Sequence, residues 1–464
     1  MSTLFILFIF ALAAYLTWTR GLAVAFALVY LPVLVLVSAA RPVVLPLLPD
    51  LTSTFAVGYG VLAGMALRGG FGGAWPFRWN LLDSIVTGLW LLGAIAVGNS
   101  EGMEMARNVL GDGFFDFLTP YLLARAAFHS PEGRRLALWS LVACAVLVAL
   151  MSPIEMRLRP QLFSRLLDAA GLYIAPNSMP LYRLGLARAQ TTFLQPMDQG
   201  NGGLLLAALI GVFAATTRYG LRDWRVVMGL GAAAFVGVAS LSFSAFLNIA
   251  IAGTVFGVLW SMKWTGRLLP VAAGIAVVGG VMVTNTLLTT PLGERSERFG
   301  QDVRDSLHMR TLIVQQSWPL VQEAGLWGYG KRISKDRLDL DSVDNAYLLF
   351  IMQRGWPYFL LFLTIPFVVT FRAARAWGDF QTDAQRLPVA LAVAGLLAIL
   401  VAMYTIFFGF VYAKLWLVLL GTFNSTVDAL RGSVPAAQRA AYRSPGMAPG
   451  MRGTAYPVVA GKGA

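Results

Sequence analysis

Apolar residues in this chain come in runs of about 17–25, each closed by a short polar or basic cluster, the length that crosses a hydrocarbon core as an α-helix. The runs fall near residues 3–18, 21–38, 51–67, 82–98, 108–127, 134–151, 201–217, 225–240, 243–260, 268–288, 344–371, 387–407 and 409–428. They predict an all-α, polytopic bundle of about 12–13 transmembrane helices, whereas a membrane β-barrel would show alternating segments of about ten residues. Residues 1–430 are assigned to this bundle. The segment 431–464, rich in Ala, Pro, Gly and Arg and without apolar periodicity, reads as a disordered cytoplasmic tail. The first run lacks a basic region before it and a small-residue cleavage site after it, so it is read as a span and not as a signal peptide.

The polar connections give the orientation. Arg68 and Arg78; Arg125, Arg134 and Arg135; Arg218, Arg222 and Arg225; Lys263 and Arg267; and Arg372, Arg375 and Arg386 occupy alternate short loops, with Arg431, Arg439 and Arg443 in the tail. Basic residues accumulate on the cytoplasmic side of short loops. The intervening connections are sparse or acidic, as at Glu101 and Glu104. Two long loops, about 152–200 and about 289–343, therefore fall on the extracytoplasmic side. Within the second, apolar residues at Leu307, Leu312, Ile313, Leu320 and Val321 lie on one side of a helix over Asp305–Gln322, interrupted by Pro319, that is expected to lie along the membrane surface.

Composition narrows the class further. Of 464 residues, 57% are hydrophobic and 13% charged, about half the charged content of a soluble globular domain. The net charge of +13 is topogenic and does not indicate nucleic-acid binding, because no basic soluble domain is present to carry it. Cys144, His129 and His308 are the whole Cys and His complement, too few for a Cys/His metal site or an intramolecular disulfide. The Asp336, Asp339 and Asp341 spacing is not that of a calcium loop. No metal and no cofactor is expected.

Three features stand out as candidate chemistry. Arg188, with Arg183 five residues earlier, precedes a span on the outer side; it either snorkels to lipid phosphates or clamps an anionic head group through the guanidinium fork. Arg310, near His308, lies either on a solvated helix face or in the same clamp. Asp344 and Asn345 stand at the mouth of a span, where the Asp is either an N-cap or a general base. A flexible turn, Gly325-Leu-Trp-Gly328-Tyr-Gly330-Lys331, comes before them. The spans read as nearly free of ionisable residues, with Asp83 close to a cytoplasmic end and Lys414 the main exception, which favours surface chemistry over coupled transport.

In this order the motifs carry a resemblance. Arg188-Ala-Gln-Thr-Thr-Phe-Leu-Gln-Pro196 opens a span. A large outer loop with Arg310 and Leu326-Trp-Gly328-Tyr-Gly330 follows, then Val343-Asp344-Asn345-Ala346-Tyr347-Leu348 and Arg354-Gly355-Trp356. The layout over about residues 80–425 resembles the O-antigen ligase and polysaccharide polymerase superfamily of integral membrane glycosyltransferases. The resemblance implies a GT-C-like bundle in a bacterial inner membrane with its active site facing the periplasm. It implies an undecaprenyl-pyrophosphate-linked glycan as donor, a glycan acceptor, and inverting transfer without a metal. Arg183, Arg188, Arg310, Gly328, Gly330, Lys331 and Asn345 would bind substrate, and Asp344 would act as base where the ligases have a His. Leu241-Ser-Phe-Ser244-Ala245 departs from the family by lacking an Arg after the Ser. The Asp in place of His is more similar to exopolysaccharide polymerases, so chain elongation is the leading expectation. Ligation to another acceptor, or a lipid-linked glycan flippase, are the alternatives. Polysaccharide export and chain-length proteins would be further partners.

Overall fold

The computed structural model describes residues 2–37, 51–69, 77–158, 161–169, 181–183, 185–193, 195–261, 301–330, 343–380, 382–404 and 408–433; the side chains of 301–311 fall outside that description. Every apolar run outside 268–288 falls on a described helix. Seven described helices are long and apolar enough to cross a membrane: Thr3–Arg20, Leu81–Glu101, Pro131–Arg157, Pro196–Ala215, Phe243–Ser261, Ala346–Trp377 and Asp383–Ala402. Shorter apolar helices cover Leu22–Leu36, Ser53–Leu67 and Trp224–Ala239, and the last described helix is Phe410–Ser433. The run 103–128 is one continuous helical path: Met103–Gly113, a π-helical turn Phe114–Leu118, and Thr119–Phe128. Sheet among the described residues is confined to a two-residue hairpin, Tyr182–Arg183 with Leu186–Ala187.

Helix starts follow from local chemistry. Asn80 accepts from the Leu82 and Asp83 amides while Asp83 accepts from the Asn80 amide, a reciprocal capping box. Ser130 caps the next helix with Pro131 at its first position, and Thr382 with Gln385 closes another box. Lipid gives no hydrophobic drive between helices, so close packing relies on small residues. A Cβ on Gly203 would stand 2.8 Å from the Ala233 carbonyl, which fixes the Pro196–Ala215 helix tightly on Trp224–Ala239. The Pro196–Ala215 and Asp383–Ala402 helices are the most enclosed of the spans, and Thr3–Arg20 lies at the periphery.

The connections sort to two ends. Arg78, Arg125, Arg372, Asp379, Asp428 and Arg431 meet at one end, with Trp79 exposed beside them. Glu155, Arg188, Ser240, Gly330, Asp344 and Met403 belong to the other. This is the division the basic loops predict.

Two expectations are corrected. Pro319 does not interrupt its helix, which runs unbroken from Gln301 to Glu323. The span beginning near 344 is not one rod: Gly355 has φ 76 and ψ 177, so a short segment Ala346–Arg354 precedes a break. The last described helix runs Phe410–Ser433. The 268–288 run and the tail after 433 lie outside the described residues.

Candidate active site

Arg183 and Arg188 come to the same place. The hairpin pairs Tyr182 with Ala187 and turns at Gly185 (φ 74), setting both guanidinium groups against the turn between Trp224–Ala239 and Phe243–Ser261. Arg183 Nη1 donates to the Leu241 carbonyl at 2.8 Å and Arg188 Nε to the Ser240 carbonyl at 3.1 Å. These carbonyls lie at a helix C-terminus, where cations are favoured. The turn holds Leu241 at φ 47 and places the Ser242 and Ser244 hydroxyls 2.9 Å apart. This is the Leu241–Ala245 segment, and two arginines from the first loop reach it.

The rest of the Arg188–Pro196 motif has a structural task. Glu155, 1% exposed, accepts from the Gln190 and Thr191 amides at 3.1 and 2.8 Å and from the Phe163 amide at 3.2 Å. Thr191, at φ 39, donates to Gln199 Oε1, and Thr192 donates to the Val35 carbonyl. A buried carboxylate costs several kcal/mol unless it is hydrogen-bonded; here it folds a polar loop around itself and so fixes Arg188. Sequence reading passed over Glu155, although a lone Glu at the end of an apolar run was a visible signal.

Two other motifs interlock. The Tyr329 amide donates to the Met352 carbonyl at 2.6 Å and the Gly330 amide to the Gln353 carbonyl at 3.1 Å. A Cβ on Gly328 would stand 2.7 Å from the Met352 carbonyl, and one on Gly355 would overlap the Leu326 carbonyl. The Gly328–Gly330 turn is thus seated in the break at Gly355, and its position is set by backbone, not by flexible closure. Ile313, Leu320 and Val321 pack on Val343, Leu348 and Met352, so the Gln301–Glu323 helix rests on the same short segment. Gly355→Ala is expected to unseat this turn. Its backbone conformation is essentially glycine-only, costing about 1–3 kcal/mol before the Cβ overlap is counted, so a lowered melting temperature and new proteolysis near Gly325–Gly330 are the expected readouts.

At the start of that segment Asn345 Oδ1 accepts from the Tyr347 and Leu348 amides at 3.1 and 3.2 Å. Asn345 is therefore the N-cap. Of the two roles open to Asp344, the cap falls to its neighbour, whose side-chain oxygen accepts from backbone. Asp344 is half-buried, and the buried Asp198 accepts from the Tyr412 amide through Oδ1 at 3.1 Å. Asp198, two residues past the Arg188–Pro196 motif, was not singled out from sequence. Arg310 lies on the Gln301–Glu323 helix with its side chain outside the description, and Lys331, Asp336, Asp339 and Asp341 lie outside the described residues. Among the described residues no three His, Cys, Asp or Glu side chains gather into a metal-binding group.

These features define a multi-pass helical membrane protein whose loop motifs assemble at one end of the bundle. Residues 226–363 match the family model described as O-antigen ligase. The match spans the Ser240–Ser244 turn, the interlocked glycine turn and Asp344. No curated protein and no solved structure matches the chain.

Proposed function

We propose that the protein transfers a glycan from undecaprenyl pyrophosphate to a sugar hydroxyl at the periplasmic face of a bacterial inner membrane, most favourably as a repeat-unit polymerase. The observation that carries this reading is that the O-antigen ligase match falls on the segment holding the glycine turn and the carboxylate Asp344 at a helix mouth. Pyrophosphate is a good leaving group, so preorganised arginines that stabilise its growing charge can supply the electrostatic work. Asp344 takes the proton of the attacking hydroxyl, the hydroxyl oxygen attacks the anomeric carbon, and the bond to the pyrophosphate oxygen breaks with inversion. Arg183 and Arg188, and Arg310 from the second loop, form the donor clamp; the Asp in place of a His favours elongation over ligation.

Arg188→Ala and Arg310→Ala are each expected to reduce transfer by about 2–4 kcal/mol of transition-state stabilisation. Lys at either position restores it only in part, since an ammonium lacks the fork. Turnover assays at matched expression check this, and near-normal polymer from either Ala variant would return that arginine to a lipid-facing role. Because the first clamp residue is held on the Ser240 carbonyl, Arg188→Lys also tests whether the anchoring bond or the charge matters more.

A further inference from the structure

A cavity of about 250 Å³ opens between the helices Leu81–Glu101, Met103–Gly113 with its π-helical turn, Ala346–Trp377 and Phe410–Ser433. Its wall combines aromatic faces with charge: Trp90, Phe350, Tyr358 and Phe408 beside Asp112, Asp116, Arg354 and Lys414. The four charged residues all lie within predicted spans, which corrects the expectation that Lys414 is the main intramembrane charge. Ionisable side chains at that depth are functional by default.

We propose that this cavity binds one sugar ring of the glycan acceptor, beside the carboxylate Asp344; the assignment rests on the glycosyltransferase reading above. Lys414 Nζ lies 2.6 Å from Asp116 Oδ1 and 2.9 Å from Thr54 Oγ1, so its charge is balanced within the wall. Arg354 Nη1 donates to the Tyr358 hydroxyl at 2.6 Å. Two carboxylates against two cations leave the wall without the net positive charge that would favour a phosphate, and a polyprenyl chain has no use for any of them. A neutral polyhydroxyl ring suits both halves of the wall: its hydroxyls donate to the acceptor-only carboxylates, in charge-assisted bonds, and its C–H faces lie on the rings. The volume is below the roughly 300–1,000 Å³ of pockets for drug-sized ligands, which limits the occupant to about one ring.

The local fold is built for this opening. The π-helical turn Phe114–Leu118, a feature found often at functional sites, carries Asp116 to the cavity with its side chain 47% exposed. Trp90 is fixed by its indole N–H on the Leu110 carbonyl at 2.9 Å, and a Cβ on Gly113 would stand 2.9 Å from Trp90 Cδ1. The Phe408 and Tyr412 rings are 6.0 Å apart, which joins the cavity wall to the turn of helix whose Tyr412 amide donates to Asp198 Oδ1 at 3.1 Å.

Cysteine protection tests the assignment on the full chain in nanodiscs. Cys144 is the chain's only cysteine and is buried, so Ala413→Cys and, separately, Phe117→Cys each place a reporter thiol on the cavity wall, with Met103→Cys as an exposed control. The probe is the oligosaccharide released by mild acid from the surface polysaccharide of the producing cell. At about ten times its half-saturating concentration, thiol labelling at both wall positions is expected to slow about tenfold, as the free fraction falls, with no change at the control. Asp112→Asn is expected to raise the half-saturating concentration about tenfold, from loss of a charged acceptor. Unchanged labelling at both wall positions overturns the proposal, as does protection by inorganic pyrophosphate alone. Labelling requires no turnover, so protection without transfer would retain the subsite and reject the transferase reading, and transfer without protection would do the reverse.

Discussion

Asp344→Asn is expected to lower chain extension by about 100-fold or more, the contribution of a positioned general base, while leaving the melting temperature unchanged. The two halves of that expectation come from different atoms. Asparagine matches the carboxylate in shape but cannot accept the proton of the attacking hydroxyl. Stability is spared because the helix cap belongs to the next residue, whose Oδ1 holds the Tyr347 and Leu348 amides. Asn345→Ala should therefore show the opposite signature, a loss of about 1 kcal/mol of stability with turnover falling only as far as the fold does. An Asp344→Asn protein that is both stable and active removes Asp344 from the chemistry.

Arg125→Met is expected to produce the largest loss of stability, about 3–5 kcal/mol, because removing one partner of a buried ion pair leaves the other charge uncompensated. Arg125 and Asp83 are fully buried at 3.0 Å. Arg125 also reaches Asp428 at 3.2 Å and the Arg78 carbonyl at 2.7 Å, and its guanidinium lies 4.3 Å over the Phe77 ring. Asp83 in turn accepts from Tyr121 at 2.6 Å and from Asn424 at 3.2 Å, and Arg372 closes the network on Asp428 at 2.7 Å. The cluster clamps four helices at the end of the bundle away from the loop motifs. Denaturation midpoints of the purified protein check the loss. The double variant Asp83→Asn, Arg125→Met should recover part of it, since no unpaired charge remains. A midpoint unchanged in the single variant would show that the pair contributes nothing.

The bundle was legible in the sequence because apolar length is nearly the whole requirement for a span. Run length cannot show a break such as that at Gly355, since the polar Gln353 and Arg354 beside it are averaged into a long apolar run, and the Leu326 carbonyl that occupies the place of a Cβ comes from a loop nearly thirty residues away. Likewise the pairing of Arg183 and Arg188 with the 240–241 carbonyls joins residues more than fifty positions apart. The sequence marked both arginines as notable without showing what they touch. Asp112 and Asp116 were overlooked for a different reason. They lie within an apolar run whose average hides them, and only the π-helical turn and the Lys414 partner show that they face one cavity. The Asp344–Asn345 pair was read as one unit with ambiguous roles; the hydrogen bonds separate them, giving the cap to Asn345.

The most direct test of the account is an in vitro reaction of the purified protein with undecaprenyl-pyrophosphate-linked repeat units, resolving products by length in the presence of EDTA. The account predicts a ladder of glycans longer than one repeat, still linked to the lipid, with pyrophosphate-linked carrier released at each step and no requirement for Mg²⁺ or Mn²⁺. A single transfer to a different acceptor would replace elongation by ligation, and no transfer at all by the folded protein would contradict the glycosyltransferase mechanism itself.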